Sequence, residues 1–241
     1  MPTDYEQAWL ELKPFAEAGQ IERILAAIAN REDEADRIGL SRTAIRHLAF
    51  DEWHNDNLDV MTAVADYAIA ECERLGGDYF EQANVICYNT SANLCDCWAD
   101  GFSRAPRHFE KGIEYAEKAV WFRDHLGKGP GSKAMAAWAL GKHQQSLGRL
   151  EGALSSFRRC LDLETEAARE SGKPAEISAD APDGYLIAAG YVALLERDEP
   201  ALDRLKGVLA SMIQSGGEPK GDAEIIEGQL RETAKQLGMA F

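Results

Sequence analysis

Residues 134–163 read AMAAWALGKHQQSLGRLEGALSSFRRCLDL. Two helical patterns flank Gly148, and both are filled by Ala, Leu, Gln and Arg, which favour helices. The small residues Gly141 and Ala153 let two antiparallel helices approach closely, and Phe157 can fill the space between this helix pair and the next. Such a pair cannot bury its apolar face alone, so the stretch predicts stacked helix pairs.

The same stretch resembles a tetratricopeptide repeat. Three features of that family are present: a Leu-Gly step in the first helix, a glycine at the turn, and a small–aromatic–small pattern in the second helix. In this sequence they are Leu140, Gly141, Gly148, Ala153, Phe157 and Cys160. The terminal proline of the family is absent, and Thr165 stands near its place. The resemblance is clearest over 134–167.

Weaker copies of the second-helix pattern begin at Ala63, Gly112 and Ala201. Successive copies lie 49, 41 and 48 residues apart, which is longer than the ~34 residues of a standard tetratricopeptide array. We therefore expect an all-α protein with one domain over 1–241, weaker repeats at about 57–126 and 183–214, and a capping helix at 219–241. The resemblance implies a right-handed solenoid of antiparallel helix pairs. Within it, separate helices are predicted near 33–39 and 42–54, a long helix over 79–98, and a kink or restart at Pro14.

The chain is acidic. Its 241 residues include 41 Asp or Glu and 26 Lys or Arg, a formal charge of -15, which disfavours binding to nucleic acid or anionic lipid. Residues 101–160 differ, with 11 basic and 5 acidic residues and a net charge of +6. This basic region is either a solvated surface or a surface that accepts an anionic group, an acidic segment, or the acidic part of a second copy in a homo-oligomer.

Polar residues on two predicted helices form the candidate binding site. Asn89 and Asn93 are one turn apart in 79–98, and Asn is a poor helix former. By resemblance, the face of 133–147 that holds Trp138 contacts ligands in tetratricopeptide domains. The candidate residues are Asn89, Asn93, Trp138, Lys142 and Gln145, which together could hold a peptide backbone or a carboxylate. The alternatives are a solvated stripe, a buried polar network, and a core role for Trp138.

No metal, cofactor or catalytic residue is expected. Cys95 and Cys97 would point about 200° apart on a helix, so they cannot easily share an ion. His47, Asp51 and His54 could share one helix face, but an exposed polar face explains them better. The GKGPGSK stretch at 127–133 lacks the residue order of a phosphate-binding loop.

The chain starts MPTDYEQ, without the pattern of a signal peptide, and has no apolar run of ~18 residues. Five cysteines, an odd number without framework spacing, suggest reduced thiols and a cytoplasmic location. The sequence thus favours a non-catalytic scaffold whose concave face binds a protein or peptide segment, possibly an acidic one. The alternatives are a homo-oligomerising structural protein, or a small-molecule or peptide sensor or enzyme with a pocket between helices.

Overall fold

A computed structural model describes residues 4–50, 57–98 and 100–241. These residues form eleven α-helices and no strand, which confirms the all-α prediction. Most helices that follow one another in sequence pack against one another, an arrangement compatible with a helical repeat. Across the described ranges, no helix is long and apolar enough to cross a membrane.

The chain divides into two compact units. The first unit contains residues up to Leu94 and residues from Ser103 to Leu126. Its helices are α1 (Tyr5–Glu17), α2 (Ile21–Ala29), α3 (Glu34–Phe50), α4 (Asn57–Leu75), α5 (Tyr79–Leu94) and α6 (Pro106–His125).

The second unit contains the segment that starts at Cys95 and all residues from Gly127 onward. Its helices are α7 (Pro130–Ser146), α8 (Leu150–Glu170), α9 (Asp183–Glu196), α10 (Glu199–Ser215) and α11 (Glu218–Gln236). The sequence contains no obvious linker, and the expectation of a single domain stays a prediction.

In the first unit, a row of polar contacts joins α4 to α6. The acids of α4 are seven residues apart and each meets a base of α6, because residues seven apart return to the same helix face. The pairs are Asp59 with Arg107 at 2.7 Å, Asp66 with Lys111 at 3.2 Å, and Glu73 with Lys118. Several positive charges of the basic region are therefore matched by acids of the same unit.

In the second unit, α7 and α8 approach as the sequence predicts. A Cβ atom added to Gly141 would lie 2.8 Å from the ring of Phe157, so only glycine fits there. The Phe157 ring also stacks on Tyr191 of α9, with 4.5 Å between ring centroids and planes 10° apart. The turn glycine, Gly148, has φ of 73°, a conformation that favours glycine. Phe157 thus links the α7–α8 pair to the next helix.

Three helix predictions differ from the structure. The helices predicted at 33–39 and 42–54 form one continuous helix, α3, as far as Phe50, and residues 51–54 lie outside the described residues. Gly39 within α3 accommodates the Tyr5 ring. Helix α5 ends at Leu94, four residues before the predicted end. Of the kink or restart predicted at Pro14, the restart does not occur, because α1 continues through this residue.

Candidate functional site

The first unit contains a groove bordered by α1, α3 and α5, with a volume of about 470 Å³. We call it the α3–α5 groove. Its lining residues, which define it, are Tyr5, Gly39, Arg42, Thr43, Ile45, Arg46, Phe50, Val85, Ile86, Asn89, Ala92 and Asn93. Most of them recur at three- or four-residue intervals along α3 and α5, because those residues share one helix face.

The floor of the groove is apolar. Ile45 and Ile86 are buried, and Val85 is half-buried beside them. Phe50, at the end of α3, is 75% exposed although its ring is large and apolar. An exposed aromatic ring next to an apolar floor is typical of a surface that contacts another molecule.

Both predicted asparagines of α5 lie in this groove. Asn89 is exposed and Asn93 is half-buried, so their side-chain amides border the cavity one turn apart. The backbone carbonyl of Asn93 accepts a hydrogen bond from Arg104 at 2.9 Å, which fixes the last turn of α5. A carboxamide both donates and accepts hydrogen bonds, as a peptide backbone does, so the pair can bind an extended chain.

Two arginines one turn apart on α3 give the groove its charge. Arg46 pairs with Glu6, whose other carboxylate oxygen lies 2.7 Å from His47 Nε2. The hydrogen bond with His47 and the nearby Arg46 charge lower the pKa of Glu6. Arg42 instead donates to the neutral amide oxygen of Gln82 at 2.6 Å, and within the described part of the chain no carboxylate pairs with it. Among the described residues, the side-chain partner of Arg42 is thus a neutral amide.

The other three predicted site residues lie in the second unit, where they are buried. Lys142 is fully buried. Its ammonium group donates to Gln145 Oε1 and, at 3.1 Å, to Thr233 Oγ1, and it lies 3.3 Å from Asp96. Gln145 donates to Gln236 at 3.0 Å. Trp138 is 7% exposed and meets Trp98 edge to face. These contacts are internal to the unit, so a ligand role for the three residues stays a prediction.

A second cavity lies in this unit, beside the buried lysine. Its volume is about 440 Å³, and Gln145, Asp96, Ser146, Arg197 and Gln236 are among its lining residues. Ser146 donates a hydrogen bond to Asp96 Oδ1 at 2.9 Å, and the Lys142 ammonium group contacts the same oxygen. Because Asp96 lines the cavity, the cavity lies next to the turn that contains Cys95 and Cys97.

Of the three residues that the sequence offers as possible metal ligands, one lies within the described part of the chain. His47 contacts Glu6 rather than a cluster of ligands, while Asp51 and His54 lie outside the described residues. Within 4–50, 57–98 and 100–241, no three His, Cys, Asp or Glu side chains form a group that could hold a metal ion.

Sequence reasoning missed Arg42 and Arg46. Their four-residue spacing was available as a signal, but the predicted break between 39 and 42 hid the helix face that they share with Ile45 and Gly39. The groove also needs α1 and α5, and sequence spacing within one helix does not show which helices meet.

Neither the models of known protein families nor the curated proteins include a match to this chain.

Proposed function

We propose that the protein is a non-catalytic scaffold that binds a protein or peptide segment in the α3–α5 groove. One observation carries the proposal: in a chain of charge -15, the described residues lining this groove include two arginines and two asparagines but no acid. The proposal takes each unit as a stack of helix pairs similar to right-handed tetratricopeptide repeats. It places the protein in the cytoplasm, since its five cysteines are buried thiols.

The groove supports a segment with both apolar and acidic residues. An aliphatic or aromatic side chain can bury itself against Ile45, Ile86 and Phe50, and burial of apolar area supplies most of the affinity. A neighbouring carboxylate can accept two hydrogen bonds from the Arg42 guanidinium. The Asn89 and Asn93 amides can bind the backbone between these anchors.

The charge distribution favours an acidic segment over a basic one. A lysine or arginine in the groove would lie beside Arg42 and Arg46, and the described lining residues include no carboxylate to pair with it. Unpaired like charges disfavour binding. Arg46 already has Glu6 as its partner, so the specificity of the site depends mainly on Arg42.

The proposal can be tested with a displayed library of peptides that combine apolar anchors with Asp, Glu, Lys or Arg. We expect wild-type protein to enrich peptides that have an acid next to an apolar anchor. Their affinity, measured by calorimetry, should fall at least about tenfold for Arg42→Glu, because the substitution reverses the charge that meets the carboxylate.

Arg159→Glu is the matched control, since it makes the same charge change at an exposed position of the second unit. It should leave the affinity within about twofold of wild type. Equal losses for the two variants would indicate general electrostatics rather than a site, and enrichment of basic peptides would contradict the proposal. If no peptide is enriched while small molecules raise the melting temperature, the sensor alternative replaces it.

A further inference from the structure

Two neighbouring cavities of the second unit share part of their lining. The polar cavity is the one of about 440 Å³ described above, which Asp96 lines. The leucine cavity is smaller, about 190 Å³, and its apolar lining residues are Leu150, Leu154, Leu194, Leu195, Leu237 and Met239. Leu150, Arg197 and Leu237 line both. The cavities therefore lie side by side, and the volume of the polar one is within the range of about 300–1,000 Å³ that small-molecule sites occupy.

The leucine cavity presents apolar surface to water. Leu194 is fully buried, Leu154 and Leu195 are half-buried, and Leu150 is 47% exposed. The lining also includes the exposed acid Glu151. An aliphatic group that enters this cavity displaces water from the leucine side chains, and the burial of apolar area on both sides favours binding.

Arg197, which lines both cavities, has an unusual backbone conformation. It follows the last residue of α9 with φ of 58°, and among the described residues it is the one non-glycine residue with a positive φ. The N–H of Arg197 donates to the Leu194 carbonyl at 3.3 Å, and the N–H of Asp198 donates to the Ala193 carbonyl at 2.9 Å. Glycine is the usual residue at such a helix end. An arginine in its place, with an exposed side chain, points to a role for the guanidinium group.

Asp96 is the acidic group of the polar cavity. Its Oδ1 lies 3.3 Å from the Lys142 ammonium group and accepts the hydrogen bond from Ser146 at 2.9 Å. The side-chain amide of Gln236, which also lines the cavity, donates to the Asp96 backbone carbonyl at 3.4 Å. These contacts hold the carboxylate in place, while Oδ2 accepts no hydrogen bond from the described residues. A ligand in the cavity can therefore donate a hydrogen bond to Oδ2.

The charges around the two cavities are balanced. The charged residues of the described linings are Asp96, Glu151 and Arg197, and the buried Lys142 contacts Asp96 from inside the unit. Acidic and basic groups are thus equal in number. This balance favours a ligand that has one group of each charge over a simple anion or cation. The planar guanidinium of Arg197 is suited to bind a carboxylate through two hydrogen bonds.

We propose that the two cavities form a binding site for a free α-amino acid with an aliphatic side chain. The ligand carboxylate pairs with Arg197, its ammonium group donates to Asp96 Oδ2, and its side chain enters the leucine cavity. An α-amino acid has these three groups on one carbon atom, which matches a site where a polar and an apolar cavity meet at Arg197. The site lies within the second unit, so it is separate from the α3–α5 groove.

Calorimetric titration of the full wild-type chain with L-leucine and three analogues tests the three contacts. We expect saturable binding of one leucine per chain. Leucinamide lacks the carboxylate, 4-methylpentanoate lacks the ammonium group, and L-alanine lacks the long side chain. Each should bind at least about tenfold more weakly than leucine, because each leaves one part of the site without its partner. The proposal is wrong if L-leucine, L-isoleucine and L-valine all fail to bind, or if the analogues bind as tightly as leucine.

Arg197→Gly separates ligand binding from stability. The variant should lose at least about tenfold in leucine affinity, yet its melting temperature without ligand should stay at or above that of wild type, because glycine adopts a positive φ without strain. Arg204→Gln is the control, since it removes the same charge from an exposed position of α10, and it should leave the affinity within about twofold. Unchanged leucine affinity in Arg197→Gly, or equal losses in both variants, would overturn the site. The titrations of the wild-type chain decide the proposal even if a variant does not fold.

Discussion

Helices α5 and α7 each have polar side chains one turn apart, but the surroundings of these two faces are opposite. Asn89 and Asn93 of α5 line an open groove in the first unit. Lys142 and Gln145 of α7 are buried in the second unit, with hydrogen bonds to α11. The neutral amides remain available to a ligand, while the charged ammonium has its partners inside the protein.

The difference follows from the cost of burying polar groups. An exposed carboxamide exchanges water for a ligand at little cost, so it can stay uncovered until a ligand binds. A buried ammonium needs partners at all times, and Lys142 has Gln145, Thr233 and Asp96. The polar face of α5 is therefore suited to recognition, and that of α7 to the internal structure of its unit.

The strongest test of this comparison removes one polar side chain from each face. Lys142→Ala should lower the free energy of unfolding by about 3 kcal/mol, because it leaves buried acceptors without their donor. Asn89→Ala should change it by less than about 0.5 kcal/mol, since Asn89 is exposed. Urea denaturation measures both values. Equal losses would show that α5 and α7 do not differ as described.

A second test compares close helix approaches in the two units. Gly141→Ala should cost about 2 kcal/mol, because the new Cβ meets the Phe157 ring, which is fully buried. Gly39→Ala should cost less than about 1 kcal/mol, although its Cβ would lie 2.4 Å from Tyr5, because that ring is half-buried and can turn.

Urea denaturation also measures these variants. Adding Phe157→Leu to Gly141→Ala tests whether the loss of stability arises from the contact between the new Cβ and the Phe157 ring. The double variant should recover part of the loss, because a smaller side chain leaves room for the added methyl group. No recovery would mean that the cost arises elsewhere than in the α7–α8 contact.

The smallest expected effect concerns pH. Burial raises the pKa of Glu164 in the second unit above its ordinary value of 4.5, so the folded state disfavours its charged form. Stability should rise as pH falls from 7 through that raised pKa. Glu164→Gln should therefore stabilise the protein at pH 7, by less than about 1 kcal/mol, and the gain should vanish near pH 4.

Asp59 of the first unit should behave in the opposite way. Its hydrogen bond with Arg107 lowers its pKa below 3.8, so the stability it contributes is present at pH 7 and is lost as pH falls through the lowered value. Asp59→Asn should thus destabilise the protein at pH 7, and the loss should shrink in acid. Chemical denaturation at pH 7, 5 and 3 measures both variants, and changes of the same sign would contradict the assignment.

The sequence predicts the positions of the helices better than it predicts which helices pack together. Pro106 and Pro130 lie in the first turns of α6 and α7, where a missing N–H costs little, so the sequence contains a signal for these two helix starts. The break predicted between 39 and 42 lies beside Gly39, whose missing side chain makes space for Tyr5 within a continuous helix. The end of α5 at Leu94 also lacked a proline or glycine to indicate it.

The sequence predicts only those relations in the candidate site that lie within a single helix. The spacing of Asn89 and Asn93 places them on one face, and that face does line the groove. The same reasoning places Lys142 and Gln145 together but does not reveal that α11, about 90 residues later in the chain, covers them. Arg42 depends on the packing of α3 near α5, which no local pattern encodes.

The contact between Lys142 and Thr233 also has a consequence for synthesis on the ribosome. The two residues are 91 positions apart, so Lys142 emerges from the exit tunnel long before its partner. The α7–α8 pair can fold first through contacts that are local in sequence, whereas the lysine must wait in water until α11 has been translated. The packing of α11 against Lys142 is therefore among the last steps in the folding of the second unit during translation.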